Sequence, residues 1–212
     1  MRAGLRLSGV PITLAFVAAL AGCASPPMEH FYTVSSENAV PDTGAQAQRI
    51  VVSPVVIPAL IDRPQLVVRT NGHEITVLEN HRWAEPLSID LARTLVNDLR
   101  RLRPGIGIVA ADAPGTQASG LLLDVTITEL VSGPGATTSL EASWMLHDRP
   151  RNCVEEGSFE ATIPTQAGYG AIPTAYADAM SRLADAIART IPEGNGQQCQ
   201  ISAGSRPSWA GD

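Results

Sequence analysis

Residues 66–78 read Leu-Val-Val-Arg-Thr-Asn-Gly-His-Glu-Ile-Thr-Val-Leu. Two runs rich in β-branched and apolar residues flank Asn71-Gly72, a pair that supplies the two positive φ angles of a type I′ turn. The expected structure is an antiparallel hairpin. A two-residue loop then sets the register so that Thr70 faces His73, Arg69 faces Glu74 and Val68 faces Ile75, with opposite charges across from one another.

Downstream of the hairpin the apolar period changes from two to about 3.6. Leu87, Leu91, Leu95, Leu99 and Leu102, with Ala92 and Val96 filling the same face, describe an amphipathic helix docked on a sheet. Pro86 suits its first turn, Asp90 lies near the positive end of the helix dipole, and Arg100, Arg101 and Arg103 lie near the negative end. Pro104-Gly105 stops it. Ile106 to Ala110 is a short strand, and Asp112 to Ser119 is a loop of small residues. Alternation returns over Gly120 to Val131, then through Leu140, Ala142, Trp144 and Leu146, then through Phe159, Ala161 and Ile163. Three such strands with short Gly/Pro turns make an antiparallel meander. A second helix follows over Thr174 to Thr190, with Tyr176, Met180, Leu183 and Ile187 on one stripe and Pro192 and Gly194 ending it.

Upstream, Ile50 to Ile57 is a nearly continuous apolar run of strand length. Pro54 cannot donate to a ladder, so the strand is bulged or at an edge there. Ser35 to Gln48 is polar and reads as a loop, and Phe31-Tyr32-Thr33-Val34 has strand character. The fold class is α/β of the α+β kind: a mixed, largely antiparallel sheet packed by two main amphipathic helices.

The first 22 residues carry Arg2 and Arg6 with no acid, then an apolar run from Val10 to Leu20 that is too short to span a bilayer. That pattern is a secretory signal peptide. It ends in Leu20-Ala21-Gly22-Cys23, which resembles the lipobox of bacterial lipoproteins. The resemblance implies that Cys23 is acylated, palmitate being a typical chain, and becomes the first mature residue. Acyl burial at about 0.8 kcal/mol per methylene makes two or three chains a permanent anchor. Ala24, in place of an aspartate that would retain such a lipoprotein at the inner membrane, points to the periplasmic face of the outer membrane. The expected organisation is a signal segment over 1–22, a lipidated tether over 23–30, one domain over 31–199 and a flexible tail over 200–212.

The formal net charge of −6 includes the two signal arginines. The mature chain therefore sets 13 arginines against 21 acids, with no lysine, so nucleic acid is an unsuitable partner. With Cys23 lipidated, Cys153 and Cys199 remain as an even pair in an oxidising compartment, which favours a disulfide. Catalytic signatures are missing. There is no G-x-S-x-G, no P-loop, no G-x-G-x-x-G and no C-x-x-C. His73-Glu74 falls short of HExxH because residue 77 is valine, so no metal, cofactor or catalytic group is expected.

Two stretches are more specific. Pro58-Ala-Leu-Ile-Asp-Arg-Pro-Gln-Leu-Val-Val-Arg69, followed after the hairpin by Arg82-Trp-Ala-Glu-Pro-Leu87 and the leucine helix, resembles the ABC-type transport auxiliary lipoprotein family. The similarity spans most of residues 20 to 191. It implies a three-layer α/β domain with a mixed sheet. It also implies a non-enzymatic role as the outer-membrane lipoprotein of an MCE-protein system that moves phospholipids or other apolar molecules between membranes. An MCE protein is then the partner, and a ring-shaped partner would favour a homo-oligomer. Asp62, Arg63, Gln65, Arg69, Arg82 and Trp83 are the candidate interface, since Arg and Trp commonly carry interface energy. The same residues also admit structural roles, with Trp83 capping the core and Asp62 pairing Arg63. A lipid-binding module and a scaffold that activates a peptidoglycan enzyme stay open as alternatives.

Overall fold

The computed structural model describes residues 28–34, 41, 45–113, 120–149 and 151–192. The signal segment, Cys23, Cys199 and the tail lie outside the described residues, as do the expectations placed on them. The elements are β1 (His30–Tyr32), β2 (Ala45–Val52), β3 (Gln65–Asn71), β4 (Glu74–Trp83), α1 (Leu87–Leu102), β5 (Ile106–Ala110), β6 (Leu121–Ser132), β7 (Thr137–Asp148), β8 (Cys153–Pro164) and α2 (Ala171–Thr190).

Strand β6 is the trunk of an eight-stranded mixed sheet. One of its edges pairs antiparallel with β7 from Leu121↔Asp148 to Ser132↔Thr138, and β7 pairs antiparallel with β8. Its other edge is shared. Leu121 to Leu123 run parallel to β2, whereas Ser132 meets Val68 of β3. Between them Pro54 interrupts β2, because a residue without an N–H cannot continue the ladder. The chain rejoins β6 at Val56, whose N–H donates to the Val125 carbonyl (3.0 Å) and whose carbonyl accepts from Ile127 (2.8 Å). Strand β5 then flanks β2, while β4 and β1 extend the sheet beyond β3. The sheet thus forks at the proline, with parallel pairs in both branches and the long antiparallel ladders on β3–β4 and β6–β7–β8.

The helices agree with the apolar spacing except at Leu102, which stands 40% exposed at the end of α1 where the core no longer covers the leucine face. Leu87, Leu91, Leu95 and Leu99 are at most 2% exposed, each contributing about 1.5–3 kcal/mol by burial. Helices α1 and α2 pack on each other, α1 against β5 and α2 against β6, β7 and β8. Tyr176 of α2 lies fully in the core, and its hydroxyl donates to the Leu130 carbonyl (3.3 Å). Burial holds that phenol far above its usual pKa. Along β6 and β7 alternate residues enter the core, Leu121, Leu123, Val125 and Ile127 from one and Leu140, Ala142, Trp144 and Leu146 from the other.

Three local expectations need correction. The hairpin is present, but its loop is Gly72-His73 rather than Asn71-Gly72. Gly72 has φ +34° and Asn71 stays in the strand. Arg69 consequently pairs with Ile75 and Val68 with Thr76, one residue away from the expected register, with a bulge between Arg69 and Asn71. Arg69 therefore does not face Glu74; it reaches across to Glu129 of β6 (3.6 Å), while Asn71 Nδ2 donates to Glu74 (3.1 Å). Second, β2 begins at Ala45, inside the segment read as loop. Polar residues can join a ladder that asks only for backbone groups, and β2 finds β5 beside it. Third, β4 runs on to Trp83, so His81, Arg82 and Trp83 are strand residues.

Candidate functional site

The two sequence stretches that carry the family resemblance form one place in the fold. Residues 58–64 make a tight turn in which the N–H groups of Ile61 and Asp62 both donate to the Pro58 carbonyl (3.0 and 3.1 Å). Ile61 is buried beneath the turn, and Leu60, Asp62 and Arg63 are exposed on it. The turn leads into β3, where Gln65 is in register with Arg82. The Pro64 carbonyl accepts from the Trp83 N–H (2.8 Å) and the Tyr32 carbonyl from the Ala84 N–H (2.7 Å). The turn, the end of β4 and the first strand after the tether therefore converge.

The candidate interface residues divide by burial. Asp62, Arg63 and Arg69 are exposed, Gln65 and Arg82 are half-buried, and Trp83 is 5% exposed. Arg82 spans Glu29 (3.6 Å) and the Glu79 carbonyl (3.2 Å), and Gln65 donates to the Glu79 carboxylate (3.3 Å). Trp83 stacks on Tyr176 with ring centroids 5.5 Å apart, so its indole belongs to the core, not to a contact surface. The expected Asp62–Arg63 pair does not form. Neither side chain bonds to another described residue, which leaves both charges pointing into solvent.

Two features of this place escape sequence reading. Asp90, in the first turn of α1, is 1% exposed, and its carboxylate accepts from the Val34 N–H (2.6 Å) and the Thr33 hydroxyl (3.0 Å). It ties the chain just after β1 to the helix, beyond any favourable position near the dipole. His81 stacks on His30 (4.9 Å) and on Tyr32 (5.8 Å), and Tyr169 meets its edge (4.8 Å). Burial, reinforced by the neighbouring His30, pulls the His81 pKa down. Its Nδ1 is hydrogen-bonded to the Tyr32 hydroxyl (2.8 Å), with the direction set by the ring tautomer. Both sets join residues about fifty or more positions apart, and no local pattern announces such pairs. Met28 and Phe31 are exposed along the same edge.

Among the described residues no group of three His, Cys, Asp or Glu is placed to hold a metal. No helix there is long and apolar enough to cross a membrane. Cys153 opens β8 opposite Asp148, and its expected partner, Cys199, lies outside the described residues.

The intermembrane transport lipoprotein PqiC of Escherichia coli strain K12 is 27% identical over 175 residues, covering 81% of this chain and 91% of the relative. PqiC of Shigella flexneri matches to the same extent. A crystal structure of an uncharacterised protein superposes with a TM-score of 0.65 at 22% identity, over 78% of this chain and 99% of that one. A second, from Xanthomonas campestris, gives 0.56 at 18% identity, over 74% and 91%. At those identities the two structures bear on the fold alone. The family model described as "ABC-type transport auxiliary lipoprotein component" matches residues 32–188. With that match running from Tyr32 in β1 to Ala188 in the last turn of α2, through every element between, the chain belongs to the ABC-type transport auxiliary lipoproteins.

Proposed function

We propose that the protein is the outer-membrane lipoprotein of an intermembrane transport system. In this reading it is held at the periplasmic face by acyl chains on Cys23 and acts without catalysis as a docking component for an MCE protein. The observation that carries the reading is the convergence of the turn at 58–64, the end of β4 and β1 into one surface that follows the tether directly. At roughly 3.5 Å per residue the chain from Cys23 to Met28 reaches less than about 20 Å, so an acylated Cys23 would keep this edge close to the bilayer. Exposed charges without internal partners, Asp62 and Arg63, are what a reversible protein contact uses to set specificity. The PqiC relatives are themselves called intermembrane transport lipoproteins, which supports the same role here. A ring of several copies would suit a ring-shaped MCE partner.

The test is recovery of partners from native membranes in mild detergent with the full-length tagged protein. We expect an MCE protein in stoichiometric yield, lost in Cys23→Ala. In Arg63→Ala we expect roughly tenfold lower yield at an unchanged melting temperature, because exposed substitutions usually stay within about 0.5 kcal/mol. Full recovery with Arg63→Ala and Asp62→Ala would remove the turn from the docking surface, and recovery of no MCE protein by wild type would overturn the reading.

The same reading pairs Cys153 with Cys199, which would tie the chain beyond α2 to the start of β8 and add about 4 kcal/mol by the chain-entropy estimate. Thiol titration of the unreduced, denatured mature protein should find no free thiol; two would eliminate the bridge.

A further inference from the structure

Helix α1 carries a second buried stripe beside its leucines. Asp90, Thr94, Asn97 and Asp98 are 1%, 6%, 5% and 6% exposed, at helical spacing on one side. Asp90 holds Thr33 and Val34 after β1, and the Thr94 hydroxyl donates to the Asp90 carbonyl (2.9 Å). Asn97 differs, because its amide makes no hydrogen bond to any described residue. The amide is not sealed from solvent, since Trp144 Nε1 alone is a buried polar side-chain atom without a partner among the described residues, so Asn97 presents its donors and acceptor to an adjoining groove.

Asn97 lines a groove of about 200 Å³ between α1 and α2, together with Asp98, Arg101, Asp178 and Ser181. That is room for several water-sized groups, at about 30 Å³ each. The Asp98 carboxylate accepts from Arg101 Nη1 (2.9 Å), and the arginine side chain is otherwise half exposed. Asp98 has its pKa raised by burial, opposed by Arg101 and reinforced by Asp185. Carboxylates outnumber guanidinium at the groove, so its field favours a cation. A metal ion is a poor occupant, since no three suitable ligands gather there among the described residues.

We propose that the groove between α1 and α2 binds a primary ammonium group on a small polar molecule, with the Asp98 and Asp178 carboxylates, Asn97 Oδ1 and Ser181 Oγ as its acceptors. An ammonium has three N–H donors and no acceptor, and this lining offers acceptors on both helices. A quaternary ammonium has the charge but no N–H, so it is the discriminating control. The ammonium can come from a free amine or from an ethanolamine lipid headgroup. The proposal stands independently of the docking role.

The experiment is NMR of the full-length protein in detergent micelles, titrated with ethanolamine, phosphoethanolamine or choline. The expected result is saturable shifts at the Asn97 side-chain amide and at the backbone amides of Asn97, Asp98, Asp178 and Ser181. Ethanolamine or phosphoethanolamine should give them, choline should bind roughly tenfold more weakly or not at all, and Asp98→Asn should weaken binding about tenfold, as expected for losing a charged hydrogen bond. Asn97→Leu should abolish the shifts with a melting temperature at or above wild type, which separates binding from folding. Binding should also fall as pH drops and Asp98 takes up a proton. Micelles doped with phosphatidylethanolamine against phosphatidylcholine identify the source: matching shifts with the former assign a headgroup, and shifts with the free amine alone assign a soluble ligand. Shifts that never saturate, equal binding of choline, or unchanged binding in Asp98→Asn would overturn the proposal.

Discussion

Asp90→Ala lowers stability by about 3 kcal/mol, read from denaturant midpoints at unchanged slope. The carboxylate is 1% exposed and accepts from Val34 N at 2.6 Å and Thr33 Oγ1 at 3.0 Å. Hydrogen bonds to a charged group contribute about 1.5–3 kcal/mol, and a buried N–H left without an acceptor costs about 1–3 kcal/mol more. Val34 is itself buried, so water does not replace the lost acceptor freely. Asp90→Asn, which keeps one carbonyl oxygen, should cost less, and Thr33→Ala least, because Thr33 is exposed. For a domain of this size the alanine variant corresponds to a melting temperature lower by about 6–12 °C. Hydrogen exchange locates the effect. The Val34 amide should lose protection before the core of β6 and β7 does, because the bond joins the segment after β1 to α1. A loss below about 0.5 kcal/mol would show that β1 holds its place without this carboxylate.

Gly157→Val is expected to be as damaging for a different reason. Gly157 of β8 stands opposite Trp144 of β7, and a Cβ there would fall within 3.0 Å of Cζ2, Cε2 and Cη2 of the indole. The ring covers the place where a side chain would stand. Overpacking commonly costs 1–3 kcal/mol. Here the only relief is to move a tryptophan that is 5% exposed, whose burial is among the largest single contributions in the core. A loss of about 3 kcal/mol, with a red-shifted tryptophan emission as the ring enters water, is the expected outcome. Gly157→Ala should follow the same direction with a smaller loss. The indole Nε1 has no hydrogen-bond partner, so Trp144→Phe in the same background should recover part of the stability by fitting a smaller, apolar ring. Wild-type stability in Gly157→Val would mean that β8 can shift away from the ring without cost.

Legibility in the sequence followed the range of the interactions involved. The leucine helix was readable because residues three and four apart share a helix face, and α1 extends over the expected residues. The meander was readable because alternation along a strand reports directly which side is wet, and β6 and β7 alternate in that way. The hairpin was readable as a hairpin but not in register. A glycine that supplies positive φ can sit first or second in a two-residue loop, and that choice, together with the bulge between Arg69 and Asn71, moves the partners of Leu66 to Arg69 by one residue. The tie between Arg69 and Glu129 depended on that choice.

At the candidate site, residues 58–69 and 82–87 were recognisable as specific stretches. Their meeting as neighbours across β3 and β4 was a consequence of the hairpin between them. Trp83 illustrates the remaining ambiguity. An indole suits an interface or a core equally well by type, and only the position of Tyr176, more than ninety residues later, assigns it to the core. Asn97 is similar. A polar residue on a helix reads as solvated until a second helix packs over it.

The sequence alone determined the order and type of the elements, the amphipathic faces of both helices and the family, because each rests on periodicity or on short contiguous motifs. The tertiary structure decided the fork of the sheet at Pro54, the hairpin register, the burial of Asp90 against Val34 and the groove in which Asn97 has no partner. Those features depend on contacts between residues far apart in the chain, where the geometry of packed helices and paired strands, rather than local preference, determines which groups meet and which are left unsatisfied.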